Sequence, residues 1–568
     1  MSKHVVIVGA VALGPKAACR IKRLDPDARV TMIDKDKLIS YGGCGIPYYI
    51  GGDVNDIKEL RTTVYHMERN ADFFKKVKHL DVLTGKEVIN VDRKEKVVTY
   101  RDLDTGEQSH ISYDYLVLAT GSSPFVPPIA GSGLPGVYPV SNLHEAQQIK
   151  DMMAKGKVDS AVVVGGGAIG LEMAEALTDM WGIETSLVEM QDQLLPTTMG
   201  PDMSHLVQSV LNENEIEVYL NTMVQEFIGD QENGVSAVKT TAGEIPCQMV
   251  ILSVGNKPNN ELARNCGLSL APHGGILVDR CMRTSDPCIF SGGDCVEVLN
   301  HLSGEYSFMP LGSLANRQGR VIGSNICGKC EQFTGVIGTF CIKVFDYGAV
   351  RAGLTMSQAQ AAGYDPAYAL VAQSDRAHFY PTQKIMFLKL IADKKTRQVL
   401  GVEGFGGNPD AVKARVDAIA ALLPYKVALE EISNLEVSYS PPFSSAMDIA
   451  NSVANALENI LDGVNVPIGP DEFLESFKNA ERRVLDVRSQ DDAKPFVDKY
   501  GERWINVPLH ELEERIDEIP SDEPLYVFCN TGVRSFEAQR FLNCKGFSNL
   551  EQVQAGAAAI YKLDDEFV

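Results

Sequence analysis

Nowhere in the 568 residues does an apolar run approach the eighteen or more needed to cross a bilayer, so no membrane span is expected. Positive charge is scarce: 53 Lys and Arg stand against 75 Asp and Glu, a formal net charge of −22. A chain this acidic repels a phosphate backbone, which excludes nucleic acid as its main partner. A disulfide framework is missing as well. The twelve cysteines are scattered without framework spacing, which suits a reducing, cytoplasmic setting and free thiols used for chemistry. Hydrophobic residues at 45% and charged residues at 23% exclude a collagen, a mucin or a disordered tail. At roughly 100–200 residues per domain, the length predicts several domains. No metal site is expected.

Lys3 and His4 ahead of the apolar stretch Val5 to Leu13 have the outline of a secretion signal. The same stretch reads as a buried strand entering a glycine turn, and an acidic residue follows at the right distance. Residues 4–34 thus run strand, turn, helix, strand: Val5 to Val8, the turn Gly9 to Gly14 (GAVALG), a helix over Ala17 to Leu24, then Arg29 to Ile33 ending at Asp34 and Lys35. Glycine is needed where backbone approaches a pyrophosphate at a helix N-terminus, and a carboxylate then takes the ribose hydroxyls. This copy is imperfect, because Val11 replaces the middle glycine. A second copy is complete: Ala161 to Val164, then GGGAIG with Gly165, Gly167 and Gly170, a helix from Leu171, and a strand ending at Glu189. A carboxylate at Glu189 would repel a 2′-phosphate, favouring NADH over NADPH. Further strands end in Thr120-Gly121, in Gly255 and in Ser291-Gly-Gly-Asp294.

With these motifs the chain resembles the two-dinucleotide flavoprotein disulfide reductases over about residues 1–450. The resemblance implies an α/β fold with two Rossmann-like domains. FAD would lie on 1–150 and 270–328, held at Gly9, Val11, Gly14, Asp34, Lys35, Thr120, Gly121 and Asp294, the last on the ribityl chain. NADH would lie on 151–269, at Gly165, Gly167, Gly170, Glu189 and Gly255, and an α+β dimerisation domain would follow over 329–451.

Ser40-Tyr-Gly-Gly-Cys44-Gly-Ile-Pro-Tyr-Tyr49 carries one cysteine where many members of that family carry a CxxxxC pair. A lone thiol cannot close an internal disulfide, so it cycles through a mixed disulfide, a persulfide or a sulfenic acid, with the thiolate as nucleophile. The segment resembles coenzyme A disulfide reductases and their persulfide-reductase relatives, which hold CoA near this cysteine. The resemblance makes Ser40, Lys22, Arg23, Arg61 and Lys75, with Lys76, candidates to contact CoA. In Val437-Ser-Tyr439-Ser-Pro-Pro-Phe443 it implies that Tyr439 reaches the partner subunit's cysteine in an obligate homodimer. Phe379-Tyr380-Pro381 stands where those relatives have a tyrosine pair, and Gly43 where they have an asparagine. NADH peroxidases and oxidases also use one cysteine, but they carry a histidine where this chain has Ala12.

Residues 452–470 read as a linker on Asp462-Gly463 and Pro467-Ile-Gly-Pro470. Beyond it, over 471–568, Asp486-Val-Arg488 and Cys529-Asn-Thr-Gly-Val-Arg534-Ser535 follow short strands. A cysteine between a strand and a helix sits among backbone N–H groups, and Arg534 beside it favours an anionic sulfur. This segment resembles a rhodanese domain, implying that Cys529 carries sulfane sulfur. The usual stretch before Asn-x-Pro shortens to Gly501–Trp504, and the late Gly-Gly becomes Ala555-Gly556-Ala557. Cys327-Gly-Lys-Cys330 lacks both a second CxxC and a redox context, and reads as two incidental thiols.

The combination implies small-molecule sulfur substrates: persulfides, polysulfide or CoA disulfide. The main alternatives are CoA-disulfide reduction as the principal activity and a C-terminal domain that docks a sulfur-carrying protein.

Overall fold

The computed structural model describes residues 2–479 and 482–567. The chain divides into two compact units, Met1–Met190 with Tyr219–Val336, and Gln191–Val218 with Ile337–Val568.

The first unit holds two parallel sheets. In one, the strands lie in the order Ile289–Ser291, Tyr115–Leu118, His4–Val8, Arg29–Asp34, Asp81–Thr84. Val5, Val6 and Ile7 are fully buried, as a strand covered on both faces requires. Helix Leu13–Leu24 covers this sheet together with Gly312–Ile326. These two helices approach so closely that a Cβ at Gly319 would stand 2.9 Å from the Leu13 carbonyl oxygen, and one at Gly323 2.8 Å from that of Ala17. The other sheet has the order Glu184–Val188, Ser160–Val164, Met249–Leu252, Val137–Tyr138. Both are Rossmann-type sheets in which the glycine loops leave the carboxyl end of the central strand.

The second unit is built on an antiparallel sheet in the order Thr339–Val344, Tyr347–Gly353, Val399–Gly406, Ile385–Asp393, Pro366–Ser374. A further five-stranded parallel sheet follows, in the order Pro467–Ile468, Leu550–Val553, Leu525–Phe528, Arg483–Asp486, Trp504–Asn506. Its core is aromatic: Phe473, Phe477, Phe496, Trp504 and Phe528 are buried against one another. The Gln554 side chain accepts the Leu370 N–H at 2.8 Å, joining this domain to the antiparallel sheet.

Two boundaries differ from those read in the sequence. Residues 452–461 are not linker but the continuation of helix Ile449–Leu461. Ile449, Ala450, Val453, Ala454 and Leu457 make a buried stripe at helical spacing, which the turn residues beyond it obscured. Helix Pro201–Glu213, inside the segment assigned to NADH, clusters with the second unit, where Asp202 is bonded to Lys389. Among the described residues, no helix is long and apolar enough to cross a membrane.

Candidate active site

The first glycine loop is tight. Gly9 has φ +105°, and a Cβ there would lie 2.1 Å from the Ala119 carbonyl oxygen; one at Gly14 would lie 1.9 Å from that of Gly9. Val11 between them is half-buried. Asp34 accepts the Ala10 N–H at 2.6 Å and the Asp36 N–H at 2.8 Å, and burial pushes its carboxyl up from the ordinary value. Each oxygen retains accepting capacity for a ribose hydroxyl, while Lys35 beside it is exposed. Thr120 donates to the Asn259 carbonyl at 2.6 Å, and Gly121, at φ +67°, faces open space. Burial also raises Asp294, which the Ser122 hydroxyl reaches at 3.4 Å. A desolvated carboxylate with this one long contact fits a chain of hydroxyls such as a ribityl group.

The second loop repeats the logic. A Cβ at Gly170 would lie 1.9 Å from the Gly165 carbonyl oxygen, whereas Gly167 and Gly255 open on empty space that a side chain would fill. Glu189, buried, accepts the Gly166 N–H at 2.6 Å and so ties the loop to the strand end. These features fit two dinucleotides.

Cys44 lies in the 3₁₀ turn Gly43–Gly45, which runs into helix Ile46–Ile50, and its side chain is exposed. All twelve cysteines are free. A Cβ on Gly312 would stand 3.7 Å from the Cys44 Sγ, so glycine keeps that flank of the sulfur open. The short helix is fastened at its far end. Lys150 donates to the Tyr49 carbonyl at 2.7 Å, the Trp181 indole to that of Ile50 at 2.8 Å, and the Tyr48 hydroxyl to Glu172 at 3.1 Å. Ser40, at φ +51°, donates its N–H to the Ala10 carbonyl, which links the cysteine loop to the first glycine loop.

Of the residues assigned to CoA, Ser40 and Arg61 come to this loop. Arg61 pairs with Glu68 at 2.8 Å and adjoins Leu60, whose carbonyl accepts the Gly42 N–H. Lys75 does not come to it. It lines a separate cavity of about 610 Å³ with Arg29, Asp81, Tyr100 and His110, and Arg29 and Asp81 begin strands parallel to His4–Val8, at the edge of the sheet opposite the Gly9 loop. Lys22 is also used elsewhere, donating to the Pro26 and Ala28 carbonyls beyond its helix. Arg23, in the same last turn, is exposed.

In the second unit Tyr439 and Phe443 are exposed, as is Phe379. The two aromatic segments are joined by the Ala377 N–H donating to the Pro441 carbonyl at 3.2 Å. Arg415, paired with Asp448 at 2.9 Å, anchors the Phe443 carbonyl at 3.0 Å. Cys529 directly follows strand Leu525–Phe528 and is buried. The Gly532 N–H points at its Sγ from 3.1 Å, and Ser535 lies at 3.3 Å. Arg534 stands in the first turn of helix Val533–Cys544. Of the CxxC, Cys330 is exposed, and burial raises the half-buried Cys327 thiol.

Residues 3–318 match the family model described as pyridine nucleotide-disulphide oxidoreductase, and 339–451 match its dimerisation domain. The chain belongs to the pyridine nucleotide-disulphide oxidoreductases. A Methanocaldococcus jannaschii protein named NADH oxidase is 35% identical, over 78% of this chain and 95% of its own. A Pyrococcus abyssi protein named CoA-dependent NAD(P)H sulfur oxidoreductase is 34% identical, over 81% and 99%. The structure of an NAD-dependent persulfide reductase from A. fulgidus superposes with a TM-score of 0.93 at 38% identity. It covers 98% of this chain and 99% of that one. FAD and NAD(H) are the cofactors of such an oxidoreductase, and the two loops fit them.

Sequence reading passed over Glu172, two residues beyond Gly170. Burial pushes its carboxyl up to about 7, against the opposing bond from Tyr48 and with help from Glu175. A raised carboxyl binds its proton more tightly in the folded state. Stability is therefore fully present below the unfolded value near 4.5 and is lost as pH rises through about 7. The span amounts to as much as about 3 kcal/mol. In Glu172→Gln, the fall in thermal midpoint between about pH 5 and 8 should flatten. Equal slopes for both proteins would assign the fall to other groups.

Proposed function

We propose that this oxidoreductase uses NADH and FAD to reduce persulfides and polysulfides, CoA persulfide among them, to thiol and sulfide. The observation that carries the reading is the exposed, unpaired Cys44 on a turn held to the first nucleotide loop. FAD, which the Gly9–Gly14 loop, Asp34 and Asp294 would hold, would supply two-electron transfer between NADH and the cysteine. The Cys44 thiolate attacks the sulfane sulfur of R–S–SH; the S–S bond breaks, RS⁻ leaves, and Cys44–S–SH remains. Two electrons and two protons then return the thiol and release H₂S. The likeness to a persulfide reductase over nearly the whole chain supports this reading, as does a relative named for CoA-dependent sulfur reduction.

CoA lies with Ser40 and Arg61 beside Cys44, and Arg23 is an exposed cation available to its phosphates. Tyr439 of a second copy, exposed on the domain whose family model is named for dimerisation, donates a proton to the leaving thiolate. The enzyme is thus a homodimer. The C-terminal domain is a rhodanese, in which Cys529 accepts sulfane sulfur beside Arg534 and passes it on.

The second reading is CoA-disulfide reduction, for which the same thiol and the same CoA contacts serve. Anaerobic NADH oxidation with CoA persulfide, CoA disulfide and hydrogen peroxide in parallel, with sulfide measured, separates the readings. Fast turnover with sulfide from the persulfide is the expected result, and turnover on CoA disulfide alone would overturn it. A peroxide activity would instead point to the NADH oxidase relatives, although Ala12 offers no imidazole there.

NADH is preferred because Glu189 closes the second loop where a 2′-phosphate would sit. Glu189→Ala should narrow the NADH-to-NADPH ratio of kcat/KM about ten-fold or more, since each 1.4 kcal/mol of like-charge repulsion removed is a factor of ten.

A further inference from the structure

The sulfur of Cys529 faces a buried hydroxyl and the Gly532 N–H, and a buried amide stands behind the hydroxyl. Ser535 and Gln552 are 0% and 4% exposed, and Cys529 is 1% exposed. The thiol donates to Ser535 Oγ at 3.3 Å, and the Ser535 hydroxyl in turn donates to the Gly532 carbonyl at 2.9 Å. The Gln552 amide nitrogen has two hydrogens. One goes to the Val553 carbonyl at 2.6 Å; the other lies between Ser535 Oγ at 3.3 Å and the Gly532 carbonyl at 3.4 Å. Asn465, from the segment that leads into this domain, donates to Gln552 Oε1 at 3.3 Å and fixes the amide's orientation. Gly532 makes the arrangement possible. Its φ is +105°, and a Cβ would stand 3.1 Å from the Gln552 nitrogen.

This pattern suits the neutral thiol, and loss of the thiol proton reverses it. A thiolate cannot donate, so the Ser535 hydroxyl turns to donate to the sulfur. The Gly532 carbonyl, which also accepts the Phe536 N–H at 3.1 Å, keeps that amide but loses its hydroxyl donor. The shared Gln552 hydrogen, nearly equidistant from both acceptors, takes its place. The hydroxyl can therefore reverse while the Gly532 carbonyl keeps a second donor beside the Phe536 N–H. Of the charged groups on neighbouring elements, Asp486 and Arg488 are paired at 2.7 Å with Tyr561 on Arg488, while Arg534 stands in the first turn of helix Val533–Cys544.

We propose that Ser535 and Gln552 form a two-position hydrogen-bond switch that holds Cys529 in its anionic forms, thiolate and persulfide, with Gln552 as the positioning residue. The proposal rests on Cys529 as a sulfur carrier. In that role the thiolate attacks the outer sulfur of a donor such as thiosulfate. The Cys529 S–S bond forms, the donor S–S bond breaks, and sulfite leaves with its electron pair, giving Cys529–S–S⁻. The charge stays on the sulfur cluster throughout, so the switch serves both ends of the step.

The test uses the full-length protein with FAD bound. Iodoacetamide alkylation of the Cys529 peptide is followed by mass spectrometry from about pH 6 to 10, for wild type, Ser535→Ala, Ser535→Thr, Gln552→Leu and the Ser535→Ala/Gln552→Leu double variant. Near neutral pH, Ser535→Ala should slow alkylation about ten-fold and Gln552→Leu about three- to ten-fold, with both converging on wild type at the alkaline end. Ser535→Thr should retain the wild-type profile, and the double variant should be no slower than Ser535→Ala, because the amide acts through the hydroxyl. A wild-type profile in Gln552→Leu would overturn the proposal. So would a loss uniform across pH, which reports altered access instead of altered charge. Thiosulfate tests the carrier reading separately. If wild-type Cys529 takes no sulfane sulfur while the profiles shift as described, the carrier reading fails and the hydrogen-bond switch stands.

Discussion

Replacing Cys44 with serine will abolish persulfide-dependent NADH oxidation, by about a thousand-fold or more, and will end sulfide release. A hydroxyl at this position has nearly the volume of the thiol, so the exposed turn Gly43–Gly45 and the bonds that fasten the following helix survive the change. What is lost is chemical. Serine is a far weaker nucleophile near neutral pH and forms no persulfide or mixed disulfide. The glycine loops are untouched, so one equivalent of NADH should still reduce bound FAD anaerobically, seen as bleaching of the flavin absorbance. Residual sulfide release above a few per cent of wild type would mean that a second thiol receives the electrons. Cys529→Ser should then remove that remainder. If Cys529→Ser instead left turnover of every sulfur substrate unchanged in the wild-type background, sulfur would not pass through the C-terminal domain.

The parts of the site legible in the sequence are those where one residue type alone meets a backbone demand. At Gly9, Gly14, Gly165 and Gly170 a side chain would collide with a carbonyl oxygen, and spacing from a β-branched run sufficed to find them. Asp34 and Glu189 were found by the same spacing, though each also bonds a loop amide, a bracing role the spacing does not reveal. Cys44 and Cys529 stood out because glycine and loop residues surround them where packing residues would be expected.

Properties of the folded surroundings were not legible. Lys22 and Lys75 are lysines on amphipathic helices, and nothing local says that one ties down backbone carbonyls while the other faces a separate cavity at the far end of the strands. Glu172 follows a motif that explains its neighbours, and burial raises its carboxyl even against the hydrogen bond from Tyr48, 124 residues away in the chain. Helix Pro201–Glu213 has a sequence that fits either unit. What assigns it is Lys389, a residue of the antiparallel sheet.

That lysine supports the second large prediction: Lys389→Met will loosen helix Pro201–Glu213 by about 3–5 kcal/mol. Lys389 and Asp202 are 3% and 6% exposed, and the ammonium donates to both Asp202 oxygens at 2.7 and 2.8 Å. Glu403, fully buried, accepts the Gly200 N–H at 3.0 Å just before the helix, and Lys389 also lies 4.3 Å above the Tyr368 ring. Burial alone would strip the lysine of its proton, but Asp202 and Glu403 outweigh it and hold the ammonium charged. Methionine fills the same space without a charge, leaving two buried carboxylates facing each other, offset only in part by Arg351 on Glu403 and His205 near Asp202. Amide hydrogen exchange along Pro201–Glu213 should accelerate about a hundred-fold or more, while strand His4–Val8 in the other unit exchanges as before. Adding Asp202→Leu should restore part of the protection, because an apolar pair costs less there than an unpaired carboxylate. If Lys389→Met alone left exchange within about three-fold of wild type, Asp202 and Glu403 would be sharing a proton, and lowering the pH should then protect the helix further.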